Sequence, residues 1–462
     1  MISLSAVFPG SICLLRFLKL SLQLPVVART GRHRDQLVMF VVQCIRLVRF
    51  RGCILTMLAA GMTAAGDEPA SPAPQKRLEP MLKIQWSPGT DLPQGFQDSD
   101  GGVIGRNLVT ACGFCSGGLE EDNRQKPGRY PRGFLKKAWG IDLDNVGAEW
   151  NPLPDFPGAA RQGLFSAKVG DALYLWGGFS YDEPFCYHDG WKLSRNEKGA
   201  WSWTALPTLP WLLNSAAACT IGTKVYVIGG ADYDGVTGFF TEADRYGKHR
   251  RLGARLLIFD TINPDAGWVE GPECPGTARF VHTVQAVNDQ IFVLGGATGD
   301  VVREGTRYGY CTVVDNWMFD PASATWTRLR DLPVSSGNFP KSTNLVYNNR
   351  WIVLPGGHQY TWVMGPDGAL REKYGTASQK RPESGLHNDV FVYDTATNLF
   401  GTADKLPIDN NLPMSIVDGN KIYLIGGETG GGTINGEYFG HHPDLFLIGN
   451  ISVAPSADGG EK

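Results

Sequence analysis

The chain has 462 residues, a formal net charge of −3 at pH 7 and 58 glycines. This charge balance excludes partners that are recognised through bulk positive charge, so we expect no nucleic acid and no anionic membrane surface. Glycine averages about 7% of ordinary proteins, and here it follows neither a collagen period nor a linker tract. The excess therefore predicts many tight turns and close backbone contacts, as in a fold of numerous short strands.

The N-terminal region has the pattern of an export signal. Three arginines within residues 46–51 precede a short apolar run over residues 53–65, which ends in small residues. A basic start followed by such a run predicts a secretory signal peptide, and the run is too short to span a bilayer comfortably. We expect residues 1–65 to be a leader, with Met39 as an alternative start, and residues 66–82 to be a flexible linker. A periplasmic or secreted protein without a stable membrane span follows, and an N-terminal membrane anchor is the alternative.

Six later segments share one pattern, an alternating apolar strand that ends in two glycines. Their spacing is about 50 to 70 residues, which is typical of a repeat protein. The six pairs are Gly117-Gly118, Gly177-Gly178, Gly229-Gly230, Gly295-Gly296, Gly356-Gly357 and Gly426-Gly427.

A second mark follows the glycine pairs. Another strand comes next, as over residues 256–260, 316–320 and 389–394, and then a tryptophan leads toward Leu-Pro. The aromatic positions are Trp150, Trp203, Trp268, Trp326 and, in the fifth unit, Phe400. The glycine pairs and tryptophans together resemble the kelch repeat over nearly all of residues 83–451. This resemblance implies four-stranded antiparallel blades arranged around a channel.

The order of strands also predicts how the chain closes. The last glycine pair is followed by a third strand at residues 444–448, and no Trp-Leu-Pro strand comes after it. A segment with that pattern occurs instead at residues 84–93, before the first repeat. We therefore predict an all-β, six-bladed kelch-type β-propeller over residues 83–451. Its ring is closed by the N-terminal strand pairing into the last blade, and residues 452–462 form a disordered tail.

Six cysteines lie beyond the leader, namely Cys112, Cys115, Cys186, Cys219, Cys274 and Cys311. An even number is compatible with disulfides in an exported protein, but their connectivity does not follow from the sequence. Cys112 and Cys115 form a CxxC motif without a second pair or a nearby pair of histidines, so we favour buried thiols over zinc. We predict no metal and no cofactor.

In a propeller the variable chemistry belongs on loops. We expect the loop after each glycine pair and the loop before each first strand to reach the same end of the channel. The polar candidates on these loops are Arg161, Asn214, Arg279, His282, Glu304, Asn338, Lys341 and Glu428. His282 is more typical of a core histidine, and the pair His441-His442 of a solvated loop.

Three further motifs narrow the resemblance. They are Ile425-Gly-Gly-Glu-Thr-Gly-Gly-Gly432, Gly238-Phe-Phe-Thr-Glu242 and the loop Phe156–Gln162, which contains Arg161. With six repeats and an export signal, they resemble the bacterial N-acetylneuraminate epimerases, which are sialic acid mutarotases. The resemblance implies an isomerase that acts on sialic acid or a related acidic sugar by general acid and base catalysis, with a small-molecule sugar as its partner.

One departure from that family affects the predicted site. The family places its proton acceptor, a glutamate, directly after the fourth glycine pair, and an arginine follows shortly after. The chain has Ala297 at this place, and the nearest carboxylates are Asp300 and Glu304. We therefore predict Glu304 and Arg307 as catalytic residues. The predicted substrate-binding residues are Arg161, Arg279, Asn214, Arg303, Asn338 and Glu428, with Arg161 and Arg279 as a clamp for the sugar carboxylate.

Two alternatives stay open. Either clamp arginine suits a salt bridge between blades as well as it suits a ligand. A non-catalytic kelch propeller that binds glycan or protein through the same loops would carry a similar set of polar residues.

Overall fold

The computed structural model describes residue 75 and residues 77–116, 132–236, 238–242, 251–341, 343–375 and 385–455. These residues all belong to the compact unit Pro69–Lys462. The predicted leader, most of the predicted linker and the end of the predicted tail lie outside the described residues. Within the described ranges, no helix has the length and apolar character needed to cross a membrane.

The architecture is all-β and consists of repeated four-stranded sheets with antiparallel neighbours. The first sheet contains Asp100–Ile104, Asn107–Ala111, Ala138–Asp142 and Asn151–Pro152. The second contains Gln162–Val169, Ala172–Phe179, Gly190–Arg195 and Trp201–Leu206. The third contains Ala217–Ile221, Lys224–Ile228, Leu256–Asp260 and Trp268–Glu270.

The next three sheets repeat the same order. The fourth contains Thr283–Val287, Gln290–Leu294, Trp317–Asp320 and Thr325–Arg328. The fifth contains Val346–Tyr347, Trp351–Pro355, Val390–Asp394 and Leu399–Ala403, with the short parallel strand Glu79–Pro80 added at its edge. The sixth contains Met414–Asp418, Lys421–Ile425, Phe446–Val453 and Leu82–Pro88. This is the sheet architecture of a β-propeller.

Short strands fill the connection that follows the second strand in five of the sheets. These strands are Phe114–Cys115 with Gly133–Phe134, Asp232–Tyr233 with Phe239–Phe240, Val301–Arg303 with Thr306–Gly309, Thr312–Val313 with Trp362–Met364 and Leu370–Glu372, and Gly432–Ile434 with Glu437–Phe439. In the part of the chain that the structure describes, two 3₁₀ turns occur, at Leu252–Ala254 and Pro264–Ala266.

Most second strands end directly before a glycine pair, because both residues of the pair adopt positive φ. In the third repeat, the strand ends at Ile228, and Gly229 has φ 68° and Gly230 has φ 103°, a region that side chains disfavour. In the first repeat these angles occur at Cys112, with φ 64°, and Gly113, with φ 114°. The first pair is therefore Cys112-Gly113, not the predicted Gly117-Gly118, which lies outside the described residues. Residues 114–116 belong to the connection that follows the second strand. The sequence pattern alone therefore placed the glycine pair of the first repeat too far along the chain.

The outer-strand tryptophans join neighbouring sheets. The indole of Trp203 donates to the Pro154 carbonyl (2.8 Å), and that of Trp326 to the Pro272 carbonyl (3.0 Å). Each acceptor lies just after the outer strand of the preceding sheet. Trp86 of the N-terminal strand donates in the same way to the Asp404 carbonyl at 3.3 Å. The indole ring of each tryptophan thus packs between adjacent sheets, and its N–H group fixes their relative position.

The N-terminal strand extends the sixth sheet. Leu82–Pro88 pairs antiparallel with Phe446–Val453, from Leu82 opposite Val453 to Pro88 opposite Leu447. Two expected boundaries shift as a result. Glu79–Pro80 pairs with Gly401 and Thr402, so structure begins inside the predicted linker, and the last strand continues to Val453, inside the predicted tail. Gly401 permits this contact, since a Cβ there would lie 2.5 Å from the Glu79 carbonyl oxygen.

Candidate active site

Two sets of loops meet at one end of the sheets, as the sequence predicted. In each repeat, the residue directly after the glycine pair bridges to the loop residue that precedes or begins the first strand of the same sheet. The six pairs are Gln97 with Phe114, Gln162 with Phe179, Asn214 with Ala231, Phe280 with Ala297, Gly337 with His358, and Asn411 with Glu428. We call these twelve residues the rim.

A chain of backbone hydrogen bonds runs beside the rim. The N–H groups of Asp98, Gly163, Ser215 and Val281 donate in turn to the carbonyls of Leu412, Asp98, Gly163 and Ser215, at 3.4, 3.3, 2.7 and 2.9 Å. All five residues have positive φ, between 47° and 68°. We call this series the collar. The collar links the loop before the first strand of the sixth sheet to the corresponding loops of the first four sheets. Each collar residue is adjacent in sequence to a rim residue, so the collar fixes the backbone positions of those rim residues.

Aromatic side chains cover much of the rim. Neighbouring rings of this aromatic belt have centroids 4.7 to 6.4 Å apart. The belt contains Phe114, Phe134, Phe179, Tyr181, Tyr233, Phe239, Phe280, Tyr310 and Tyr360. Tyr181 is the most open, with 56% of its surface exposed. Aromatic faces with polar tips suit the apolar faces and hydroxyl edges of a sugar.

Glu428 brings a carboxylate to this surface. One of its oxygens accepts a hydrogen bond from the Asn411 side-chain amide at 2.9 Å, and the other lies 3.7 Å from Nε2 of His441. Its side chain retains 28% exposure. Among the twelve rim residues, all of which are described, Glu428 is the only carboxylate. A partly exposed carboxylate held by an amide and an imidazole is equipped for proton transfer.

Another part of the rim is apolar. Ala297, Phe280 and Val281 form a buried cluster against which Tyr310 and Tyr360 pack. The predicted residue Asn338 lies at the edge of this cluster and donates to the Tyr360 hydroxyl at 2.9 Å. Burial raises the pKa of Tyr360 well above its usual range, so its hydroxyl stays protonated and can donate to a ligand.

A buried ionic group lies beside the collar. The Lys341 ammonium binds the Asp98 carboxylate at 2.5 Å, and both side chains are only 4% exposed. Burial raises the pKa of Asp98 despite this partner. Burial also raises the pKa of neighbouring Asp100 to about 7, against the opposing effects of Lys341 and of a hydrogen bond from Ser166. The pair spans the loops of the first and fifth sheets.

The predicted clamp arginines lie inside the fold. Arg161 binds Asp189 at 2.5 Å and the Gly177 carbonyl at 3.0 Å, while Arg279 binds Asp315 and the Gly295 carbonyl. Both arginine side chains are at most 2% exposed. The ion pairs outweigh burial, which alone would raise the pKa of each aspartate, and hold both pKa values below the ordinary range. The arrangement is that of two internal salt bridges at equivalent places of the second and fourth repeats.

The other predicted residues are dispersed. Asn214 is fully buried, and its amide donates to the Ala231 carbonyl at 2.8 Å. Glu304 lies exposed at the turn of the hairpin Val301–Gly309, with φ 50°. On the same hairpin Arg307 binds Asp300 at 2.8 Å and Arg303 donates to the Gly368 carbonyl. The structure thus places Asn214 and Glu428 in the rim and Asn338 next to it, and it leaves Glu304 and Arg307 on the projecting hairpin.

The histidines differ from expectation in one case. His282 is buried, and burial lowers its pKa well below the usual value, as expected of a core histidine. His442 is buried as well, where a solvated residue was predicted. Its Nδ1 accepts from the Ser116 backbone N–H at 2.9 Å, and burial lowers its pKa well below the usual value. The reason is the Phe114 ring, 5.7 Å away, which covers it.

Sequence reasoning missed several residues of the site. Arg132 lies with its guanidinium carbon 5.7 Å from the centre of the Phe114 ring and is exposed. His441 was assigned to solvent, and Asp98 was not considered. All six cysteines after the leader are buried. Within the described ranges, no group of three or more metal-binding side chains comes together.

The fold and the rim define a class: a β-propeller whose loops present a carboxylate, an imidazole and a belt of aromatic rings at one end. No family model matches the chain. It resembles proteins named N-acetylneuraminate epimerase, as the sequence motifs predicted. One from Haemophilus influenzae (strain 86-028NP) is 24% identical over 368 residues, which cover 74% of this chain and 88% of the relative. One from Pasteurella multocida (strain Pm70) is 22% identical over 370 residues, covering 74% and 88%.

A solved structure agrees at the level of the fold. The structure titled "Structure of YjhT" aligns with a TM-score of 0.53 at 17% identity, covering 80% of this chain and 100% of the other. At this identity the likeness concerns the fold.

Proposed function

We propose that the six sheets are the blades of one closed ring. The collar joins the sixth sheet to the first, where the Asp98 N–H donates to the Leu412 carbonyl, and continues to the fourth. The Thr283 hydroxyl donates to the Pro340 carbonyl between the fourth and fifth sheets, and the Gly357 N–H donates to the Asn410 carbonyl between the fifth and sixth. The strand Leu82–Pro88 supplies the outer edge of the sixth sheet from the other end of the chain. A variant that lacks residues 79–93 should lose most of its stability in urea, and unchanged unfolding would contradict closure.

We propose that the protein interconverts the anomers of N-acetylneuraminate or a related acidic sugar at the rim. The observation that carries this is Glu428, the rim carboxylate, which is bonded to Asn411 and near His441. Glu428 occupies in the sixth repeat the place that Ala297 occupies in the fourth. The names of the relatives supply the substrate class.

Anomer exchange requires one general base and one general acid. Glu428 takes the proton of the anomeric hydroxyl while the bond from the anomeric carbon to the ring oxygen breaks, and the ring oxygen receives a proton from the His441 imidazolium. The result is an open-chain ketone, with Glu428 protonated and His441 neutral. Closure on the opposite face of the carbonyl returns both protons and gives the other anomer, so no net change remains on the protein.

The surroundings of His441 support this role. Its Nδ1 lies 3.3 Å from the Thr429 carbonyl oxygen. Because a carbonyl only accepts, Nδ1 carries a hydrogen, and Nε2 faces Glu428. In the imidazolium the second hydrogen is therefore on Nε2, the nitrogen that faces Glu428. A general acid needs its transferable proton at this position.

Two further groups would hold the sugar. The exposed guanidinium of Arg132, beside Phe114, suits the planar carboxylate of the acidic sugar. The open ring of Tyr181 offers a face for the apolar side of the sugar. In this proposal Arg132 takes the role predicted for Arg161 and Arg279.

The experiment is NMR of freshly dissolved α-N-acetylneuraminate with and without protein. The wild type should accelerate the approach to anomeric equilibrium, and Glu428→Gln should lose about 10²- to 10⁴-fold of that rate. Glu304→Gln is the matched control and should keep its rate. If only Glu304→Gln loses activity, the base is Glu304, as the sequence predicted. Binding of the sugar without acceleration by the wild type would favour a non-catalytic glycan-binding propeller.

We also propose that the protein is exported to the periplasm or beyond the cell. The support is the basic and apolar pattern of residues 46–65 in the sequence. Cell fractionation with N-terminal sequencing tests this, and a cytoplasmic protein with an intact N-terminus would contradict it.

A further inference from the structure

A separate cleft of about 390 Å³ lies outside the rim, between the hairpins that project from the third, fourth and fifth sheets. Its lining includes Phe240 and Thr241 from the third repeat, Thr277 from the loop before the fourth sheet, Arg303 from the fourth repeat and Gly368 from the fifth. Its volume falls in the range of small-molecule sites. Nothing in the proposed anomer exchange uses these residues, although the sequence predicted that one of them, Arg303, binds substrate.

The short strand Phe239–Phe240 separates the cleft from the rim. Phe239 belongs to the aromatic belt, with its ring 4.7 Å from Tyr233 and 5.5 Å from Phe280. Successive side chains of a strand point to opposite faces, and Phe240 accordingly lines the cleft. The two sites therefore share one strand and present an aromatic ring on each side of it.

The charged side chains that line the cleft cancel in number, with Arg251 and Arg303 against Glu242 and Asp300. Arg251 binds Glu273 at 2.6 Å and lies 3.4 Å from Glu242, Asp300 binds Arg307 at 2.8 Å, and Arg303 donates to the Gly368 carbonyl. A ligand with a net charge would add a charge that this lining does not cancel. The cleft thus favours a neutral ligand.

The remaining polar groups suit hydroxyls. Thr241 Oγ1 accepts from the Gly299 N–H at 3.2 Å, which leaves its own hydrogen to donate. Thr277 lines the cleft, and its Oγ1 is buried without a hydrogen bond of ordinary length. A buried hydroxyl without a partner is costly, and a ligand that supplies one recovers that cost.

We infer that this cleft binds a neutral sugar unit. The ring of Phe240 receives the apolar face of a pyranose, while the hydroxyls of Thr241 and Thr277 bond to its edge. This inference does not depend on anomer exchange at the rim, because it concerns binding at another place and a ligand without charge.

Saturation-transfer NMR with the full chain tests the inference. The probes are methyl β-glucoside, methyl β-galactoside and methyl β-N-acetylglucosaminide. At least one should receive saturation from the wild type, and Thr277→Val and Phe240→Leu should each weaken its binding about three- to tenfold. Glu428→Gln is the matched control at the rim and should bind that probe as the wild type does.

Thr277→Val also separates binding from folding. Because its buried hydroxyl makes no hydrogen bond of ordinary length, the variant should be at least as stable in urea as the wild type. The inference is overturned if none of the three probes receives saturation, if both cleft variants bind as the wild type does, or if N-acetylneuraminate displaces the neutral probe. A failed anomer-exchange assay would leave it intact.

Discussion

The fourth and sixth repeats place different chemistry on the same backbone. Phe280 pairs with Ala297 in one, and Asn411 pairs with Glu428 in the other, through equivalent bridges. In the fourth repeat the position is fully buried in an apolar cluster, whereas in the sixth a carboxylate faces an amide and an imidazole. The two repeats share one backbone arrangement, and a single side chain decides whether a repeat presents an apolar cap or a carboxylate at this position.

Their interiors differ in the same way. Arg279 of the fourth repeat donates to the Gly295 carbonyl at 3.2 Å, and Asn410 of the sixth donates to the Gly426 carbonyl at 3.0 Å. The carbonyl of the first glycine is satisfied in both. The fourth repeat uses a charge that needs Asp315, and the sixth uses a neutral amide. The four predictions below test this contrast.

The largest effect is expected from Arg279→Met. It leaves Asp315, which is 0% exposed, as an unpaired buried charge, and removal of one partner of such a pair costs about 3 to 5 kcal/mol. Arg161→Met is the matched control and should cost clearly less, because Asp189 is 31% exposed. Urea unfolding measures both, and equal losses would contradict the argument.

The second-largest effect is expected when the rim carboxylate is moved to the fourth repeat. Ala297→Glu should lower stability by about 2 to 4 kcal/mol, since it overfills a buried apolar cluster and buries a charge. Glu428→Ala, at a partly exposed site, should change stability by less than about 1 kcal/mol. Thermal unfolding compares the two. A well-tolerated Ala297→Glu would mean that the two rim positions are equivalent after all.

The pH dependence of stability tests the buried ionic group beside the collar. The pKa of Asp100 is raised by burial to about 7 from 3.8, so the folded state holds this proton more tightly. The resulting stability is complete below pH 4 and is lost as the pH rises toward 7. Relative to Asp100→Asn, the wild type should lose about 2 kcal/mol between pH 5 and 6.5. Urea unfolding at both pH values checks this, and parallel pH profiles would refute it.

The smallest effect is expected at the hairpin of the fourth repeat. Glu304 has φ 50° and precedes Gly305 with φ 78°, the angles of a turn that favours Asn-Gly. Glu304→Asn should therefore raise stability by about 0.5 kcal/mol and leave anomer exchange unchanged. A loss of exchange with normal unfolding would return the catalytic role to Glu304.

Much of the fold follows from the sequence. The alternating segments before Gly177, Gly229, Gly295 and Gly426 are second strands, and residues 82–88 join the last strand as the missing tryptophan segment indicated. These elements are predictable because a buried strand and a positive-φ turn each restrict the local residue types. The first glycine pair was misplaced because Cys112 adopts an angle that glycine prefers.

The site was less predictable. A local signal for the buried arginines does exist, since Asp189 and Asp315 each stand two residues before a tryptophan that donates to them, Trp191 and Trp317. An alignment of the repeats with one another would have exposed it. The contact between Asp98 and Lys341 has no such signal, because it depends on how distant loops meet.

The pairing of Leu82–Pro88 with Phe446–Val453 has a consequence for the order of synthesis. Residues near the start of the fold obtain their antiparallel partner only when the end of the chain has been made. Until then, the apolar side chains of Leu82 and Ile84, buried in the finished protein, have no strand to cover them. The N-terminal strand of the nascent chain therefore stays exposed, and prone to aggregation, until the C-terminal strand has been synthesised.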